Sequence, residues 1–263
     1  MSAVTGVLPA RADLATGEGR VINQSKDVLL LGAFAPSLEL LRERLVRLGY
    51  RAVPAKTPEQ AHMLLRISRG AIGAAVLAPD LPVVDLRRTL RFLCDVSAGE
   101  LWFLAAGSKP DHAERARLRA AGVTFPLFEP LHAHTLRFQI NRALAGSSVV
   151  RGERRSLRAP TTWEVPVFAS GRSKAASVYT VSSAGAFLGT PAPSPRGARI
   201  DLELPVAGLR GRLAARVVMT NVPGNLQHKN LPVGMGVRFE NPPLDAEALL
   251  HVFAQERLSE LML

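Results

Sequence analysis

Five times between residues 27 and 145 a short apolar run gives way to a stretch whose apolar side chains recur at helical spacing, and this alternation constrains the fold most. DVLLLGAF over 27–34 precedes SLELLRERLVRLG, in which Ser37 opens a stripe of Leu38, Leu41, Leu45 and Leu48. YRAVPAKT then precedes PEQAHMLLRIS, and AAVLAP precedes a helix from Val84 to Cys94. LWFLAAG precedes DHAERARLRAAG, and VTFPLF precedes HTLRFQINRAL. Five strand–helix units predict a doubly wound α/β domain with a five-stranded parallel sheet, over residues 26–146.

Past the short join AGSS the pattern changes. Strands are expected near 162–169, 176–182, 185–190, 198–205, 211–221 and 233–240, separated by Gly, Pro, Ser and Asn clusters. Six short strands with few helical signals predict an all-β second domain, a closed barrel over 147–263. The last segment, LDAEALLHVFAQERLSELML, carries Leu249, Leu250, Phe253, Leu258, Leu261 and Met262 in a broadly helical pattern. It is expected to cap the barrel, with its far end available to a partner helix.

The 263 residues suit two domains, and 47% hydrophobic against 21% charged content favours packed cores over disorder. One cysteine, Cys94, excludes an intramolecular disulfide and offers no metal cluster, which fits a reducing cytoplasm. Residues 1–25 read as a loose tail without the apolar core of a signal peptide, and no apolar run reaches the length of a membrane span. A soluble, cytoplasmic protein is therefore expected.

The formal charge is +11, which favours anionic partners. Residues 1–146 hold 19 basic and 13 acidic side chains and residues 147–263 hold 14 and 9, so the excess is +6 and +5 and singles out neither half. Arginine-rich helices such as Leu86–Leu93 then read as solvated faces. Nonspecific DNA binding rests on charge alone, since no recognition helix and no aromatic stacking platform is evident, and no specific nucleic-acid partner is expected.

The residues with most chemical content are Arg154 and Arg158, four apart in RGERRSLR, and the turn TVSSAGAFLGT with Ser182 and Gly185 three apart. A guanidinium pairs in bidentate fashion with phosphate oxygens or with O6 and N7 of guanine, and its face stacks on a purine. Glycine permits close backbone approach and serine offers a small hydroxyl. Taken alone, the arginines read as a solvated linker.

Together with the strand pattern, these residues resemble the PilZ domain, a small β-barrel that binds the bacterial second messenger cyclic di-GMP. Its motifs are an Arg-x-x-x-Arg loop and an Asp/Asn-x-Ser-x-x-Gly turn. Arg154 and Arg158 match the first and Ser182 and Gly185 the second, while Arg151 and Arg155 fit the same arginine spacing in an earlier register. PVGMGVRFE resembles the Gly-rich final strand of such barrels. Thr180 stands where the family has Asp or Asn, and a hydroxyl is a poorer acceptor for the guanine N1 and N2 edge.

The first half resembles the receiver domain of response regulators with its chemistry removed. Gly32-Ala33 occupies the place of the metal-binding acids and Ala78 that of the phosphoacceptor. About Ala105 falls at the hydroxyl position, and Glu129 precedes Pro130 where Lys belongs. Asp80 is the nearest carboxylate, and without an acidic pair to hold a divalent metal, phosphorylation is not expected.

No nucleophile elbow surrounds Ser182 and Ser183, and His132 with His134 gives two of the three or four ligands zinc needs. The expectation is therefore no enzyme, no metal and no cofactor, but a bacterial cyclic di-GMP effector whose receiver-like domain docks a protein partner. A homodimer is left open. The rival is a nucleotide-independent interaction scaffold with a degenerate PilZ domain, which Thr180 favours.

Overall fold

The computed structural model of the chain describes residues 27–32, 36–81, 84–97, 100–146, 156–226 and 230–263. The expected tail 1–25, Ala33, the join at 147–150 and Arg151, Arg154 and Arg155 lie outside the described residues.

The α/β half runs β1 (Asp27–Leu31), α1 (Pro36–Arg47), β2 (Ala52–Ala55), α2 (Pro58–Ser68), β3 (Ile72–Leu77) and α3 (Leu86–Cys94). It continues with β4 (Trp102–Ser108), α4 (His112–Ala121), β5 (Phe125–Glu129) and α5 (Ala133–Ala145). The strands form one parallel sheet in the order β2-β1-β3-β4-β5, a receiver-like arrangement. All six residues of β3 are buried, as a central parallel strand requires.

The helix starts are written locally. The Thr57 hydroxyl accepts from the Gln60 N–H at 3.3 Å with Pro58 in the first turn, while Asp85 and Asp111 cap α3 and α4 through the N–H groups of Arg88 and Glu114. Alternate residues of the strands feed two cores. Leu30, Val76, Leu104 and Leu127 pack with Leu38, Leu45, Leu136 and Ile140 of α1 and α5. Leu29, Ala75 and Phe103 pack with Leu65, Leu90 and Leu93 of α2 and α3.

The second half comprises β6 (Ala159–Pro160), β7 (Glu164–Ala169), β8 (Arg172–Ser182), β9 (Gly185–Gly189), β10 (Arg199–Leu202), β11 (Leu213–Asn221) and β12 (Gly234–Phe239). Helix α6 (Leu244–Glu260) follows. Six antiparallel strands close in the order β8-β7-β10-β11-β12-β9, because β9 pairs back onto β8. Val165, Val178, Val181, Leu188, Leu202, Val217 and Val237 fill the barrel, and Ala246 and Leu250 of α6 close it. The two-residue β6, unanticipated in the sequence, lies beside β8, pairing Ala159 with Val181 and Pro160 with Thr180.

Helix α5 joins the halves. Six consecutive residues, Thr135 to Ile140, are buried, so the helix has no wet side along that stretch. Leu136 and Ile140 face their own sheet, whereas Phe138 joins Tyr179, Phe187 and Leu261 in a separate cluster on the outside of the barrel. A polar chain runs alongside. The Tyr50 hydroxyl donates to Asn141 Oδ1 at 2.8 Å, and Asn141 Nδ2 donates to the Tyr179 hydroxyl at 3.2 Å and the Asn230 carbonyl at 3.0 Å. Arg137 donates to the same carbonyl at 3.0 Å.

The far end of α6 does not wait for an outside helix. Fully buried Gln139 donates to the carbonyls of Pro126 and Leu261 at 3.1 and 2.9 Å, Arg115 donates to the Met262 carbonyl at 2.9 Å, and Leu263 enters the α2/α3 core of the first half.

Candidate functional site

Two places had chemical expectations attached, one in each half. At the end of β3, Ala78 is buried, and a Cβ added to Gly32 on β1 would stand 2.7 Å from the Ala78 Cβ. Gly32 also has φ +94, so an acidic side chain there would be both crowded and conformationally strained. A cavity of about 320 Å³ opens beside this point, lined by Leu77, Ala78, Ala105, Ala106 and Phe128, with Glu114 and Arg117 among its polar members. Those two are paired to each other at 2.7 Å.

Glu129, where a receiver has lysine, points elsewhere. Its carboxylate accepts from Arg44 of α1 at 2.8 Å and from the Leu131 N–H at 2.6 Å, while Arg44 also donates to the Leu131 carbonyl. The residue ties α1 to the start of α5. Asp80 is exposed, and no group of three potential metal ligands occurs among the described residues. The one carboxylate lining the cavity, Glu114, is paired with Arg117.

In the barrel, the antiparallel pairing of Ala159 with Val181 carries the backbone of Arg158 to the level of Ser182. Arg158, which is half-buried, and the Ser182 turn are therefore brought together. The turn itself spans only Ser183 and Ala184 between β8 and β9. Ser182 is fully buried and donates its hydroxyl proton to the Gly185 carbonyl at 3.2 Å. Gly185 is required by β12, since a Cβ there would fall on the Val237 carbonyl oxygen.

A register shift between Val178 and Thr180 sets the direction of this strand. Val178 and Val181 enter the barrel core, so Tyr179, Thr180 and Ser182 belong to the outer face, as does Phe187 between Ala186 and Leu188. Gly236 leaves that face open, because a Cβ there would meet Met219 Cγ at 2.6 Å and approach Phe187. The outer face is nevertheless dry. Helix α5 and the end of α6 lie over it through Phe138, Leu258 and Leu261, and Thr180 is buried.

The two histidines of α5 have structural tasks. His132 accepts the backbone N–H of His134 at 3.1 Å, and the His134 ring meets the Thr161 carbonyl at 2.9 Å and packs edge-on against Tyr179. Burial is the main cause holding the His134 pKa below its usual 6.5, and the Thr161 carbonyl opposes it. Burial likewise pushes the Tyr50 phenol far upward, so it remains a proton donor to Asn141.

The sequence reading did not single out Tyr50, Phe138, Gln139, Asn141, Tyr179 or Phe187. A usable signal existed in the aromatics. Tyr179 and Phe187 lie out of phase with the core residues of β8 and β9, and large aromatic side chains facing outward imply a cover.

No protein-family model matches the chain, and no curated protein matches it by sequence. Solved structures do. A pilus assembly-related protein from Burkholderia pseudomallei is 20% identical, over 46% of this chain and 91% of its own, with TM-score 0.39. A response regulator receiver domain protein from Clostridium thermocellum is 15% identical over 48% and 98%, with TM-score 0.39. The non-phosphorylated HemR receiver domain from Leptospira biflexa is 25% identical over 46% and 94%, with TM-score 0.37.

Proposed function

We propose that the protein is a non-enzymatic signalling adaptor, built from a receiver-like domain without a phosphorylation site and a PilZ-type barrel whose nucleotide face is closed by the chain itself. The observation that carries this reading is the dry outer face of β8 and β9. Thr180 and Ser182, the residues a cyclic di-GMP site would use, are buried, Thr180 pairs with Pro160 of β6, the neighbouring Tyr179 and Phe187 are covered by Phe138 and Leu261 of α5 and the segment after α6, and the Ser182 hydroxyl is spent on Gly185. A ligand bearing two phosphates needs exposed donors, and desolvated hydroxyls supply none. The adaptor then acts through its protein surfaces, independently of the nucleotide.

A second reading has its own support. Arg158 reaches the level of Ser182 through the β6–β8 pairing, the placement an arginine clamp over that turn requires. In this version cyclic di-GMP displaces α5 from the barrel, and binding separates the two halves.

Calorimetric titration of the purified protein with cyclic di-GMP decides between them. The adaptor reading expects no heat up to high micromolar ligand. Saturable, salt-sensitive heat that disappears in Arg158→Ala overturns it in favour of the clamp. Thr180→Asn sharpens the result: heat gained with this variant assigns the loss to the missing amide acceptor, and continued silence assigns it to the closed face.

A further inference from the structure

With α5 occupied by the barrel, α2 and α3 present exposed apolar side chains together with arginines that have no ion-pair partner among the described residues. These helices are held side by side by His62 stacked on Phe92, ring centroids 4.1 Å apart. Their inner residues, Ala61, Leu65, Leu90 and Leu93, are in the core. Their outer residues combine two properties. Met63, Ile67 and Phe92 are exposed by 53%, 65% and 40%. Arg66, Arg88 and Arg91 are also exposed, and none of the three forms an ion pair with a described residue. Helix α3 contains no acidic residue, and the acids nearby are the exposed Glu59 at the start of α2 and Asp85 and Asp95 flanking α3.

We infer that this two-helix face is a peripheral docking surface for an anionic lipid bilayer. Apolar side chains set between unpaired arginines suit an interface that is apolar below and negatively charged at the headgroups. Arginine stems lie along apolar surface while their guanidinium groups reach phosphate oxygens in bidentate fashion. The His62–Phe92 stack bridges α2 and α3, so Met63, Ile67 and Phe92 belong to one two-helix surface shared with the arginines.

The test is co-sedimentation with vesicles of phosphatidylcholine containing about one third phosphatidylglycerol, against vesicles of phosphatidylcholine alone, at low and at raised salt. The full chain is expected to pellet with the anionic vesicles and to be released by salt. Arg88→Gln with Arg91→Gln should lower the partition coefficient about 25-fold, at about fivefold per arginine. Ile67→Ser should lower it about tenfold through lost insertion. The control is Arg172→Gln with Arg210→Gln, which removes the same charge from exposed positions on the barrel half.

Equal binding to both vesicle types overturns the inference, as does an equal loss in the barrel control, which would trace binding to the overall charge of +11. Failure of the wild type to pellet, with Arg88→Gln and Arg91→Gln instead changing the sedimentation coefficient, would assign the face to self-association and reject the bilayer. Each substituted residue is exposed, so circular dichroism is expected to be unchanged.

Discussion

The receiver-like half and the barrel differ in what stands at the positions to which the sequence attached chemical expectations. At the end of β3, Gly32, Ala78 and Ala105 present hydrogen or methyl where the receiver resemblance implies acids and a hydroxyl, and the Glu129 carboxylate is bonded to Arg44. At the β8–β9 turn, Ser182 and Gly185 serve the barrel, one bonding the turn and the other admitting the Val237 carbonyl. A group that is absent takes more than one substitution to supply. A buried one is a matter of what lies on top, and here Phe138, Leu258 and Leu261 cover Tyr179 and Phe187 with a hydrogen-bonded margin through Asn141.

The sharpest probe of the barrel side is Gly185→Ala. The new methyl has no space against β12, and destabilisation beyond about 4 kcal/mol, seen as a lost or early urea transition, is expected. A loss under about 1 kcal/mol would show that Gly185 is not held by β12. Phe138→Ala attacks the cover itself and should cost about 3 kcal/mol, with the single calorimetric transition splitting as the halves uncouple. An unsplit transition would mean that the remaining contacts, through Asn141, Gln139, His134 and Leu263, suffice to couple them.

Gln139→Leu leaves the Pro126 and Leu261 carbonyls without their donor in a dry site, for an expected loss of about 2 kcal/mol in urea melts. His134 gives a pH signature. Its folded pKa lies below the unfolded value, so the unfolded chain binds the proton first. Stability from this group is complete above about pH 6.5 and falls as the solution is acidified toward the folded pKa. His134→Gln should flatten the urea midpoint between pH 7 and 5. On the receiver side the expected effect is nil: acetyl phosphate with magnesium should add no phosphate mass, and a stoichiometric gain abolished by substituting Asp80 would break the contrast.

The fold was readable wherever one element's sequence settled its own environment. AAVLAP read as a strand and falls on β3 (Ile72–Leu77), and PEQAHMLLRIS read as a helix and is α2 (Pro58–Ser68). Six barrel strands appear where the Gly, Pro and Asn clusters placed their ends, although β8 reaches back to Arg172 because its first turn of pairing with β7 involves polar residues facing water. Ala159–Pro160 carried no periodicity, being two residues long and defined only by its neighbour.

The surroundings of the candidate site were less legible. HTLRFQINRAL reads as a helix with one apolar stripe, and nothing in those letters says that Phe138 and Gln139 on the other side meet a barrel that begins beyond residue 156. Whether Ser182 faces a ligand or a helix is decided by contacts between segments far apart in the chain, and a motif records the residue without its neighbours.

Leu263 seats itself among Leu65, Leu90 and Phe103, and Gln139 grips a carbonyl 122 residues downstream. During synthesis the first half would emerge from the ribosome complete in its strands and helices yet with an unfilled slot in its interior. Residues 261–263 supply the plug, so the maturity of the α/β half becomes a report on whether the barrel and α6 have been made and folded.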